Sequence, residues 1–130
     1  VDLLVREADI AKMKEVLEPQ GYRYRHAAGI DMFFDPGEQS AREAVHLVLA
    51  RQQTGSGFEQ PGVEESVKFG SFRVLTLEAL VRSLLVANCR VGRVHLRDLI
   101  DVGLIDESWP SRFDSVLADR LQALLDDPDG

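Results

Sequence analysis

Two short apolar runs each carry one residue able to do chemistry. Val1-Asp2-Leu3-Leu4-Val5 holds a single carboxylate among β-branched and apolar side chains. Val45-His46-Leu47-Val48-Leu49-Ala50 holds a single imidazole in the same way. A charge in a greasy strand costs free energy unless it has a partner, so Asp2 reads either as a metal ligand or as a strand-end carboxylate bonded to backbone N–H groups. His46 reads as a hydrogen-bonded core histidine or as a catalytic group. A third set is basic: Arg90, Arg93 and Arg97, the last two four residues apart on one helix face. Arginine clusters suit phosphate groups of a substrate or an RNA backbone, and equally a solvated face paired with acids such as Asp101.

Other candidates carry less. Asp35 sits in the turn signal Asp35-Pro36-Gly37. Asp31 adds a carboxylate to a site at Asp2 only if its strand is the neighbour of that of Asp2. Gly55-Ser56-Gly57 imitates a phosphate loop, but no strand-to-helix junction follows it, so it reads as a plain loop. His95, Asp98 and Asp101 share helical spacing with nothing else converging on them. Trp109 beside Pro110 reads as a core anchor, or as a partner surface if exposed.

The elements that must position these residues follow from hydrophobic period. Residues 1–5 predict a buried parallel-type strand, and residues 9–17 a helix with Ile10, Met13 and Leu17 inward and Lys12 and Lys14 facing away. Pro19 and Gly21 end that helix. Strands follow at 22–26 and 30–34 around Ala27-Ala28-Gly29, then a short helical piece at 38–43 and a fully buried strand at 45–50. Residues 51–65 read as a mobile loop. Gly70-Ser71 suits a type II′ hairpin between 67–69 and 72–74.

From Thr76, a good N-cap, the chain turns helical. Leu77, Leu80, Val81, Leu84 and Leu85 form one apolar stripe. A second helix at 93–102 buries Leu96, Leu99 and Ile100. A third starts near Pro110 and buries Phe113, Val116, Leu117, Leu121 and Leu124. Residues 126–130 read as a frayed acidic tail. The expected architecture is α/β in class: a mixed sheet with flanking helices over residues 1–75, then a helical part over 76–130, in one domain.

Composition sets outer limits. The chain has 130 residues, 45% of them hydrophobic, enough for one real core. No apolar run reaches the roughly 18 residues that span a bilayer. A net charge of −7 argues against binding DNA or anionic lipid through the whole surface. The single Cys89 makes neither an internal disulfide nor a metal-ligand spacing, and a reducing cytoplasm is the expected compartment. The chain opens at Val1 in mid-strand, so further residues are expected ahead of it.

Three stretches together resemble the nucleotidyltransferase superfamily, and within it bacterial nucleotidyltransferase-like proteins related to abortive-infection toxins of toxin–antitoxin systems. They are Val1–Val5 with the following helix and Gly21-Tyr22-Arg23-Tyr24-Arg25; the strand Val45-His46-Leu47-Val48-Leu49; and Val74-Leu75-Thr76-Leu77-Glu78-Ala79-Leu80-Val81 with His95-Leu96-Arg97-Asp98-Leu99-Ile100. The resemblance implies Mg²⁺ held by strand carboxylates, with Asp2 as the second member of an Asp-x-Asp pair. It also implies transfer of a nucleoside monophosphate from an NTP to a protein or RNA acceptor. On this resemblance Asp2 and His46 are the catalytic candidates and Asp2 is the metal ligand, while Arg90, Arg93 and Arg97, read from their type and spacing, are the substrate-binding candidates. The chain departs from the family pattern at four points. The first Asp and the upstream Gly-Ser turn would lie ahead of Val1. His46 stands where a third carboxylate is expected, and Leu84 where relatives tend to carry Lys. The departures leave a second expectation beside the first: a catalytically degenerate binding or regulatory module, of the kind found in toxin–antitoxin-type pairs.

Overall fold

The computed structural model describes residues 1–127, in which the chain divides into two compact units. One comprises residues 1–52 with 62–64, and the other residues 53–61 with those from 65 onward. The acidic tail expected at 126–130 lies largely outside the described residues.

The first unit is built on a mixed four-stranded sheet. Its strands are β1 (Asp2–Val5), β2 (Arg23–Ala27), β3 (Ile30–Phe34) and β4 (Val45–Leu49), in the order β1-β4-β3-β2. β1 and β4 run parallel, and the other two pairings are antiparallel. Helix α1 (Ile10–Leu17) crosses from β1 to β2, after a 3-10 turn over Glu7–Asp9. Gly21, at φ 94°, takes the left-handed conformation that ends this segment, in a place where a Cβ would come within 3.2 Å of Pro36. Ala28 and Gly29 both have positive φ in the two-residue loop joining β2 to β3, the pattern of a type I′ turn.

Several expectations for this unit need correction. β1 is an edge strand with β4 as its one neighbour among the described residues, so Asp2 and Leu3 are exposed rather than buried. β4 has only Leu47 fully buried. Lys14 does not face away: its Nζ lies 3.6 Å from the centroid of the Tyr24 ring, a cation–π contact. Residues 38–43 form turns and no helix. There the Glu38 side chain accepts from the N–H groups of Gln39 and Ser40, which draws the backbone into a local turn.

The second unit opens with the hairpin β5 (Ser66–Phe69) and β6 (Phe72–Leu75). Gly70 has positive φ and Ser71 does not, in keeping with the type II′ turn. Val67, Phe69, Phe72 and Val74 share one face of this hairpin and are all exposed. Helices α2 (Leu77–Ala87), α3 (Arg90–Asp101) and α4 (Ser115–Asp126) follow. Thr76 caps α2, its hydroxyl accepting from Ala79 N–H at 3.2 Å. The helices enclose a core of Val81, Leu85, Leu96, Ile105, Trp109, Leu117, Leu121 and Leu124. Trp109 is thus a core anchor, with the Arg112 guanidinium stacked over it at 4.3 Å.

Leu80 and Val116 are exposed, because the five-residue stripe of each segment is wider than the face each helix buries. α3 begins at Arg90, not 93, because Cys89 acts as its N-cap, the sulfur accepting from Gly92 N–H. The loop at 51–65 is partly packed: Gln60, Pro61 and Gly62 are buried, and Ser83 donates to Gln60 Oε1 at 2.6 Å. No helix among the described residues is long and apolar enough to cross a membrane.

Candidate functional site

The parallel register of β1 and β4 sets Asp2 directly beside His46. Because paired residues in a sheet share a face, both side chains project to the same side, and Asp2 Oδ1 lies 3.6 Å from His46 Nδ1. Asp2 is 71% exposed in its side chain and His46 37%, so the pair is open to solvent rather than sealed in a core. His46 Nε2 donates to the carbonyl of Ala41 at 2.9 Å. That bond orients the ring and leaves Nδ1 turned toward the carboxylate. Met32 and then Arg25 continue the row across the sheet, since Met32 pairs with His46 and Arg25 with Met32.

Asp31 takes no part in this row. β4 stands between β3 and β1, and Asp31 pairs with Leu47, one residue out of phase with His46. Its side chain therefore belongs to the opposite face. There it is 8% exposed, accepts from the Tyr24 hydroxyl, and meets His26 Nδ1 at 2.8 Å. The Tyr24 hydrogen bond, aided by His26 and Lys14, holds the Asp31 carboxyl below the usual carboxylate value despite burial. The same bond pushes the Tyr24 phenol above its ordinary value. Asp35, the other nearby acid, remains in its turn.

The fit to Mg²⁺ is poor. The ion takes about six oxygen ligands, and among the described residues this edge supplies one carboxylate beside an imidazole nitrogen. Among the described residues no group of three His, Cys, Asp or Glu side chains converges as a metal site.

The arginines form a separate constellation in the helical unit. Arg90, Arg93 and Arg97 lie along one face of α3 and line a cavity of about 600 Å³. Arg120 of α4 joins them, which sequence spacing did not single out. Its Nη1 donates to the Leu85 carbonyl at the end of α2, at 2.8 Å. Leu84 also lines this cavity. Among the described residues these arginines form no ion pair with Asp101, and Asp98 meets His95 at 3.8 Å. Ser56 makes a 3.4 Å contact with the Val86 carbonyl, so the Gly55–Gly57 loop is structural in its bonding. Arg120 was legible in the sequence only as an exception within the apolar face of the last helix, between Leu117 and Leu121.

Comparison with family models, curated proteins and solved structures finds no match for this chain.

Proposed function

We propose that the chain is a nucleotidyltransferase-like module that has lost transfer chemistry and serves in binding or regulation, as one member of a toxin–antitoxin-type pair. The observation that carries this reading is the register of β1 and β4. Opposite Asp2, where the resemblance calls for a carboxylate, stands an imidazole already committed to the Ala41 carbonyl. The nearest other acid on the sheet, Asp31, is committed to Tyr24 and His26 on the far face. An imidazole nitrogen is a poor Mg²⁺ ligand beside hard oxygens, so this replacement weakens the position for an ion and for a two-ion clamp in in-line displacement.

The active reading rests on the exposure of Asp2, which leaves its oxygens accessible to an ion and a triphosphate. In that reading Asp2 holds Mg²⁺, His46 lies beside the reacting groups, and an NTP donates its nucleoside monophosphate to a protein or RNA acceptor. Mass spectrometry after incubation with NTPs, Mg²⁺ and any co-purified protein or RNA decides between the two. The expected result is no nucleotide adduct on either component. A Mg²⁺-dependent adduct that disappears with Asp2→Asn would make the protein an enzyme and end the binding-module reading.

A further inference from the structure

We infer that the helical unit binds a nucleotide by its polyphosphate, through Arg90, Arg93, Arg97 and Arg120 around the cavity between α3 and α4. The inference does not rest on the sheet-edge reading above, because every residue in it belongs to the helical unit.

Four observations converge. First, four guanidinium groups and the Asn88 amide border one cavity without a carboxylate in its lining. In a chain of net charge −7, such a concentration is against the trend of the surface. Second, among the described residues none of the four forms an ion pair, whereas Arg6, Arg82 and Arg112 each meet an acid. Arg97 and Arg120 donate only to backbone carbonyls, at 3.4 and 2.8 Å.

Third, Arg97 Nε is buried with no hydrogen-bond partner among the described residues. Buried donors are nearly always satisfied, and Arg97 lines this cavity, so the unsatisfied group belongs to the side chain an anion bound there would meet. Fourth, Arg90 and Arg93 occupy the first turn of α3, which has no acidic residue. Cations there are repelled by the positive end of the helix dipole, so the arrangement disfavours the empty protein and favours an anion-filled one.

The rest of the lining selects among anions. Leu84, Val94, Leu96 and Leu124 supply an apolar wall. Ligand pockets for small molecules typically span about 300–1,000 Å³, and this one is within that range. Guanidinium groups beside an apolar wall suit a ligand with phosphates at one end and a base at the other, more than inorganic phosphate alone.

Isothermal titration calorimetry of the whole chain with ATP in EDTA tests the inference, since arginines need no metal to hold a phosphate. Binding should survive EDTA and Asp2→Asn. It should weaken about tenfold with Arg90→Gln or Arg93→Gln, the loss of one charge-assisted contact. Both side chains are exposed, and removing a charge relieves repulsion at the start of α3, so these variants should keep the wild-type circular dichroism and melt no lower than wild type. Tripolyphosphate should bind more weakly than ATP, and adenosine not measurably. No ATP binding overturns the inference, as does ATP binding indifferent to both arginine variants or dependent on Mg²⁺ and Asp2. Equal affinity for tripolyphosphate and ATP, or retention of an oligoribonucleotide without ATP, also overturns the nucleotide assignment. Adduct formation is a separate readout, so failure here leaves the sheet-edge reading untouched.

Discussion

At the scale of single residues, Asp31 illustrates how a carboxylate that looks functional becomes structural. Its burial would by itself raise its pKa; the Tyr24 hydroxyl, His26 and Lys14 reverse the sign. The folded-state pKa then lies below the ordinary value of 3.8, so the ionised form is favoured in the fold. The associated stability is present above that ordinary value and is lost as pH falls through the lowered one. Asp31→Asn should therefore flatten the acid limb of a melting temperature–pH profile, and a wild-type slope in the variant would refute this assignment. Tyr24→Phe leaves the buried acceptor with His26 alone and should cost roughly 1–3 kcal/mol in urea unfolding near neutral pH. His46 stands differently. Its ring is oriented by one backbone carbonyl, so its position relies on the 35–44 segment as much as on β4.

At the scale of elements, turns and caps decide where the site residues arrive. Ala28 is held at φ 52° in a type I′ loop, a conformation that costs an alanine about 1 kcal/mol. Asparagine tolerates this region, and Asn-Gly is the favoured pair for such a turn. Ala28→Asn should accordingly raise stability by several tenths of a kcal/mol to about 1 kcal/mol. An unchanged or lower denaturation midpoint would count against the turn assignment. The cap of α2 offers the opposite experiment. Thr76→Ala removes the acceptor for Ala79 N–H and should destabilise by about 1 kcal/mol, read as a loss of thermal stability. Thr76→Ser, which keeps the oxygen, should recover most of it.

At the scale of the whole molecule, the two units have separate buried clusters. Met32, Phe34 and Ala44 form one in the sheet unit, and the larger set centred on Val81, Leu85 and Leu121 forms the other. Leu121 is fully buried among α2, α3 and α4 side chains, so Leu121→Ala should cost about 2–5 kcal/mol through lost burial and a cavity. Amide exchange of α2, α3 and α4 would register it, and undiminished protection there would contradict the described core.

The alternation and helical periods of the sequence determined most elements of this chain. They indicated the parallel strand at its start, the two hairpins, the helical second half and Thr76 as a cap. Local pattern is enough for these because period-2 and period-3.6 burial leave their marks on neighbours in sequence. Only tertiary structure decided strand order, and with it which polar residues meet. It put β4 between β1 and β3, which seated His46 beside Asp2 and sent Asp31 to the opposite face. It also brought Arg120 to the arginines of α3 across an interval no spacing rule covers. Register and helix packing are set by contacts distant in sequence, so no local reading of Asp31 or Arg120 could assign their partners.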